Sequence, residues 1–139
     1  MQISAYTSED FFSIEPIARD CFRDFKYPGQ FKWDVFSNLW KPAVDSGLGV
    51  VLRHEDDGVL GMMFGPDQFN GWLTALVNFW YVRPEKRRTG LGRDLLLAAE
   101  AIAYDRQCWR ILMGHPIGHV KFFQRMGYEP MEVGFQKRF

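Results

Sequence analysis

A short turn with two glycines and several cations is the part of this sequence best suited to chemistry. Residues 87–92, Arg-Arg-Thr-Gly-Leu-Gly, follow an apolar run and precede a helical pattern. Backbone N–H groups at such a strand-to-helix turn can point at an anion, and the helix N-terminus adds about half a positive charge. Glycines at two of the positions let a phosphate approach the main chain. The turn therefore predicts a pyrophosphate site, the alternative being a turn with no ligand. The nearby cations are Arg83, Lys86, Arg87, Arg88 and Arg93.

The spacing of the glycines excludes two common nucleotide loops. It is not Gly-x-x-x-x-Gly-Lys-Ser/Thr, which cradles nucleotide triphosphates. It is not Gly-x-Gly-x-x-Gly either, because Leu95 stands where the third glycine would be. The dinucleotide fingerprint also belongs to the first βα unit of a sheet, whereas this turn comes late in the chain.

Composition predicts one globular domain, residues 1–139, with no polyanionic partner. Apolar residues make up 47% of the chain, and 17 basic side chains balance 17 acidic ones. A non-specific nucleic-acid binder carries a clear basic excess, so nucleic acid is not an expected partner. No apolar run is long enough to span a membrane. Cys21 and Cys108 are isolated from each other, which favours a reducing, cytoplasmic location and no metal site.

Hydrophobic periodicity and turn residues predict a mixed α/β domain of order βααβββαβαβ(β). Thr7 and Asp10 have capping-box spacing before the first helix, which Pro16 kinks or restarts. Asp57-Gly58 predicts a hairpin turn. The predicted strands are 2–6, 48–54, 59–64, 73–82 and 109–114, with one or two closing strands in 128–139; the helices are 8–26, one from Trp33 to Val44, one from Leu91 to about 105, and 117–126.

Three segments together resemble the GNAT superfamily of N-acetyltransferases, and the likeness covers essentially the whole chain. Residues 87–92 resemble its Arg/Gln-x-x-Gly-x-Gly/Ala motif, residues 80–84 the end of its fourth strand, and residues 122–128 its Phe-Tyr-x-Lys-x-Gly-Phe segment. The resemblance implies acetyl-CoA as cosubstrate, with its pyrophosphate on the turn. It also implies that the fourth and fifth strands splay and take the pantetheine arm between them. The positions it assigns to the cofactor are Trp80, Tyr81, Val82, Arg87, Arg88, Thr89, Gly90, Leu91, Gly92, Arg93 and Phe123.

The catalytic groups of the family are not all matched by this chain. The resemblance implies direct attack of an amine on the thioester, a polarised carbonyl and a proton for the departing thiolate. Phe123 stands where many members have an acidic tyrosine, and Pro116 where an asparagine is usual. The strand 73–82 has no Asp or Glu. The substitutes that we predict for catalysis are His115, His119 and Asn78, although a cap or surface role is open for each histidine.

Two functions remain open from the sequence. The first is acetyl transfer to a primary amine on a small molecule or a protein. The second is a non-catalytic acyl-CoA-binding or interaction domain, which Phe123 and the acid-free strand favour. Asp67 could meet a cationic acceptor, but an ordinary turn carboxylate is the simpler interpretation. The aromatic content of 17% leaves room for an apolar surface through which a homodimer could form.

Overall fold

The computed structural model describes residues 2–114 and 119–139, which form a mixed sheet with helices on both faces. Sheet order follows chain order, β1 to β5. The first four strands are antiparallel, and β5 runs parallel to β4. The elements are β1 Ser4–Ala5, a 3-10 turn Phe11–Ile14, α1 Glu15–Asp24, α2 Trp33–Ser46, β2 Gly49–His54, β3 Gly58–Pro66, β4 Leu73–Val82, a 3-10 turn Pro84–Lys86, α3 Leu91–Asp105, β5 Arg110–Met113 and α4 Val120–Arg125.

Each face of the sheet has its own apolar core. The core between the sheet and α1 and α2 contains Phe11, Ile17 of α1 and Trp40 of α2, each no more than 3% exposed. On the opposite face Leu95 and Leu96 of α3 are fully buried against the sheet. Because β4 and β5 are parallel, the chain crosses over through α3 to join them. This crossover puts the glycine turn at the end of β4, as predicted.

The start of the chain follows the predicted capping and proline signals. The Thr7 N–H donates to Asp10 Oδ1 at 2.6 Å, and the Asp10 N–H donates to Thr7 Oγ1 at 3.3 Å. The reciprocal bonds are those of a capping box. A 3-10 turn follows, and α1 begins at Glu15 with Pro16 in its first turn. The single helix predicted for 8–26 is therefore divided, because a proline fits only the first turn of an α-helix.

The closing strands predicted for residues 128–139 are wrong. None of the described residues from 119 onward belongs to a strand. Met131, Val133 and Phe135 alternate as a strand would, yet they are 58%, 73% and 95% exposed. Alternation predicts a strand only where an edge is available, and β5 offers an edge of four residues. Pro130 at the start of the tail also lacks the N–H that a ladder needs.

Of the helices in the described part of the chain, none has the length and apolar character needed to cross a membrane.

Candidate active site

A β-bulge at Asn78 divides β4 into two halves. Val77 lies opposite Met62 and Phe79 opposite Gly61, so Asn78 is an extra residue on β4. The extra residue inverts the alternation of side chains. Val77 packs into the core below α3, whereas Phe79 and Tyr81 pack into the core below α1 and α2. The bulge thus turns the second half of β4 so that Tyr81 faces α1.

The second half of β4 extends beyond its neighbour β5. Pairing between these strands runs from Thr74 and Arg110 to Val77 and Met113 and ends there. Residues 78–82 continue past that point, and within 2–114 and 119–139 no strand pairs with them on this side. Their backbone groups on this edge can therefore pair with an extended ligand, as an edge strand does.

A cavity of about 860 Å³ lies beside this half of β4. Residues 77–82 form one wall, and the end of α1 with the loop that follows it forms another. Asn78 and His119, two of the three predicted catalytic residues, both line the cavity. His115, the third, lies outside the described residues, as does Pro116. The structure thus brings a bulged amide and an imidazole to one cavity.

The two glycines of the turn are required for different reasons. Gly90 has φ of +91°, a left-handed conformation that favours glycine, and an added Cβ there would meet nothing within 4 Å. A Cβ at Gly92 would lie 3.3 Å from the Trp80 ring, so Gly92 is needed for packing. Room for a phosphate is the reason predicted for both glycines; Gly92 has a packing reason of its own, whereas at Gly90 the space is open. Thr89 Oγ1 closes the turn by donating to the Lys86 carbonyl at 2.6 Å.

The cations around the turn divide into two groups. Arg83 forms a salt bridge with Asp20, and Arg87 Nε donates to the Val82 carbonyl at 3.0 Å. The other three are exposed and form no ion pair within the described part of the chain; they are Lys86, Arg88 and Arg93. Three cations beside the N-terminus of α3 give the turn a positive field.

Phe123 belongs to an aromatic cluster on the other side of β4. Its ring lies 6.0 Å from that of Trp80, 5.3 Å from Phe122 and 5.8 Å from Tyr128. Burial, with Glu100 nearby, raises the pKa of the Tyr128 phenol well above its usual value. Tyr128 is therefore a poor substitute for the tyrosine that Phe123 replaces, because it holds its proton too strongly.

Asp24 is a functional candidate that the sequence patterns did not predict. It is the last residue of α1 and lines the cavity, where its carboxylate accepts a short hydrogen bond from the Tyr81 hydroxyl. That hydrogen bond, together with Arg23, lowers the pKa of Asp24. Burial and the nearby carboxylate raise the pKa of Tyr81 to about 12. A carboxylate in the last turn of a helix interacts unfavourably with the helix dipole. The position of Asp24 there is the one sequence feature that could have marked it as functional.

One further carboxylate, Asp67, and one acidic group at the β2–β3 turn do not line the cavity. Asp67 accepts from the N–H groups of Phe69 and Asn70 at 2.9 and 3.3 Å and pairs with Arg110 at 3.1 Å. These contacts support the simpler of the two interpretations, in which Asp67 is an ordinary turn carboxylate. Among the described residues, one group brings potential metal ligands within 4.8 Å of one another, namely His54, Glu55 and Asp57 at the β2–β3 turn. Exposed acidic groups often lie together without a metal.

The structure defines a mixed α/β fold, in which the fourth strand is bulged, extends past its neighbour and ends in a cationic glycine turn. The chain belongs to the acetyltransferase (GNAT) domain family, whose family model matches residues 45–130. The protein is therefore an acetyl-CoA-dependent acetyltransferase, as the resemblance implied. No curated protein matches the chain.

Solved structures share the fold over the whole chain at low identity. Glucosamine-6-phosphate N-acetyltransferase from Arabidopsis thaliana is 12% identical, with a TM-score of 0.76 over 99% of this chain and 97% of that one. Ribosomal-protein-alanine N-acetyltransferase from Brucella melitensis biovar Abortus 2308 is 16% identical, with a TM-score of 0.71 over 100% of both. An aminoglycoside acetyltransferase from an uncultured soil metagenomic sample, in complex with sisomicin, is 15% identical, with a TM-score of 0.79 over 99% and 95%.

Proposed function

We propose that the whole chain, residues 1–139, is one catalytic domain that transfers the acetyl group of acetyl-CoA to a primary amine. The observation that carries the proposal is the half of β4 that extends past β5 beyond Val77, which has a cavity beside it and the glycine turn at its end. A thioester on this strand would meet an amine held in the cavity. The amine attacks directly, in a ternary complex of the protein with both substrates.

The turn and the strand would hold two different parts of acetyl-CoA. The pyrophosphate would accept hydrogen bonds from the backbone N–H groups of the turn and interact with Lys86, Arg88 and Arg93. The pantetheine amides would pair with the backbone of residues 78–82, in the manner of an added strand. This arrangement requires β4 and β5 to splay beyond Val77, and the end of their pairing at that residue supports it.

The transfer forms a C–N bond and breaks the C–S bond of the thioester. A backbone N–H near Trp80–Val82 would stabilise the oxygen of the tetrahedral intermediate. The acceptor arrives as an ammonium ion, and its nitrogen loses two protons in all. The first goes to a water that Asn78 would orient and leaves the neutral amine that attacks, and the second leaves as the tetrahedral intermediate collapses. One proton is taken up by the thiolate and one is released to solvent. A thiol with a pKa of about 8.5 is a fair leaving group. With Phe123 at the tyrosine position, the thiolate would take its proton from His119, from His115 or from solvent. Holding both reactants close would supply much of the acceleration.

The second candidate is an acyl-CoA-binding domain without catalysis. The acid-free β4 and Phe123 favour it, because neither of the family's usual proton-transfer groups is present there. Release of free CoA separates the two candidates. Acetyl-CoA binding together with amine-dependent CoA release supports transfer. Tight binding with no release by any amine, at any pH between 6 and 9.5, contradicts it.

A pair of glycine variants tests the position of the pyrophosphate. Gly90 and Gly47 both have a positive φ, +91° and +80°, and an added Cβ meets nothing within 4 Å at either. Alanine therefore introduces similar backbone strain, about 1–2 kcal/mol, at both positions. Only at Gly90 would the Cβ project where the phosphates are proposed to bind. Gly90→Ala should weaken acetyl-CoA binding about tenfold or more in calorimetric titration, and Gly47→Ala should leave it unchanged. Equal affinities for both variants would refute this position for the pyrophosphate.

A further inference from the structure

Aromatic rings form the wall of the cavity that faces β4. The rings of Phe22 and Tyr27 are nearly parallel, with centroids 5.9 Å apart, and the Phe31 ring lies 5.8 Å from that of Phe22. Phe25 packs edge-on against Tyr81 at 6.2 Å. Tyr27 is 63% exposed, so much of this apolar area remains available to a ligand. Residues Phe22, Phe25, Tyr27 and Phe31 are called the aromatic wall below.

The charges around the cavity are unequal. Among its described lining residues Asp24 is the only carboxylate, whereas Lys26, Arg87 and Arg138 are cationic. A ligand with several ammonium groups would place one of them on Asp24 and the others near these cations. Like charges at short range in a partly enclosed cavity repel one another. The lining therefore suits a ligand with a single positive charge.

Asp24 is oriented and still able to bind an ammonium group. Its Oδ2 accepts from the Tyr81 hydroxyl, and its Oδ1 accepts from Arg23 Nε at 3.1 Å. A carboxylate has about four acceptor sites, so each oxygen retains one. Its side chain is 24% exposed, which leaves it accessible from the cavity. Tyr81 thus holds an anionic group at the edge of the aromatic wall.

We propose that the acceptor is a primary monoamine carried on an aromatic or alkyl body. Its ammonium group binds Asp24 and loses a proton to solvent before the resulting neutral amine attacks the thioester, and its body packs on the aromatic wall. The proposal rests on the proposed function, in which this cavity holds the acceptor. Asp24 is then a residue that determines specificity. Polyamines and aminoglycosides are poor acceptors for this chain, because their additional ammonium groups meet Lys26, Arg87 and Arg138.

A panel of four amines tests the charge argument. The probes are 2-phenylethylamine and hexylamine, which are monoamines, and spermidine and sisomicin, which are polycations. The two monoamines should have kcat/KM values at least about tenfold above those of the polycations. A higher kcat/KM for spermidine or sisomicin would overturn the inference.

Two variants test the residues. Asp24→Asn should raise KM for 2-phenylethylamine about tenfold or more, because an ionic hydrogen bond is lost, and should not change the dissociation constant of acetyl-CoA. Asp45→Asn is the matched control, since Asp45 lies in the last turn of α2, pairs with Lys41 at 2.7 Å and is not at the cavity. Tyr27→Ala should reduce the preference for 2-phenylethylamine over hexylamine roughly fivefold, through the loss of one aromatic contact. An unchanged KM in Asp24→Asn would show that the amine binds elsewhere.

Direct binding separates this inference from the proposed function. If acetyl-CoA binds and a polycation is the preferred acceptor, the proposed function stands and the inference fails. If acetyl-CoA does not bind, the proposed function fails, and titration of 2-phenylethylamine into the protein decides the inference. Binding that Asp24→Asn weakens supports it, and the absence of binding refutes it.

Discussion

Gly61 leaves the space that the bulge on β4 requires, because the Phe79 ring lies across it. A Cβ built on Gly61 would lie 2.8 Å or less from three atoms of that ring. The ring has little freedom to move aside, since its centroid is 5.1 Å from that of Trp40 and 5.8 Å from that of Phe36. Gly61→Ala must therefore displace Phe79 or the β3 backbone. We expect the variant to distort the bulge at Asn78 as well as to lose stability.

The cost of Gly61→Ala follows from the usual cost of overpacking, about 1–3 kcal/mol. For a chain of 139 residues, each kcal/mol lowers the melting temperature by about 4 °C. The expected loss is therefore roughly 4–12 °C in a thermal unfolding experiment followed by circular dichroism. The rate of acetyl transfer should fall by more than the loss of folded protein accounts for, because the bulge positions Asn78, which lines the cavity.

Gly65→Ala is the matched control on the same strand. A Cβ there would meet nothing within 4 Å, so only the backbone preference of alanine changes, by about 0.5–1 kcal/mol in favour of folding. In a Phe79→Ala background the obstacle is gone, and Gly61→Ala should then cost under about 0.5 kcal/mol. Equal melting temperatures for Gly61→Ala and Gly65→Ala would refute the packing argument.

Three further predictions concern single side chains. Phe123→Tyr should raise kcat if leaving-group protonation limits the rate, and an unchanged kcat with a normal acetyl-CoA affinity would show that it does not. The pKa of the Cys21 thiol is raised to about 12 by burial, so maleimide should modify the less buried Cys108 first, as peptide mass spectrometry would show. Tyr81 stays protonated in the folded chain up to about pH 12, whereas an unfolded tyrosine ionises near 10. Stability is therefore lost as pH rises from 10 to 12, and urea unfolding should show a smaller loss in Tyr81→Phe.

Local patterns were sufficient to predict most of the framework. The apolar run 73–82 became β4 with the same bounds, and Asp57-Gly58 does join β2 to β3. The turn at the end of β4 and the helix that begins at Leu91 also lie where predicted. These features depend on neighbours in the sequence, such as turn residues and side-chain periodicity, which a single chain displays directly.

The parts that were missed depend on contacts between distant residues. The bulge arises because Gly61 of β3 leaves room for Phe79, and neither residue indicates it alone. The tail 128–139 alternates like a strand but has no long edge to pair with. The acidic group of the cavity comes from α1, whereas the family resemblance implied that it would lie on β4. A helix 57 residues earlier in the chain supplies it, and only the fold brings Asp24 to Tyr81.

The same contacts connect the two halves of the proposed site. Two carboxylates one turn apart on α1 bind β4 and the residue that follows it, since Asp20 pairs with Arg83 and Asp24 accepts from Tyr81. These partners lead directly into the glycine turn, so a shift of α1 away from the strand proposed to hold the pantetheine arm would break both contacts. The bulge makes this possible, because without the extra residue at 78 the Tyr81 side chain would face α3. In the proposed site, amine recognition then needs no carboxylate on β4 itself, because the bulge directs Tyr81 to the carboxylate of Asp24 on α1.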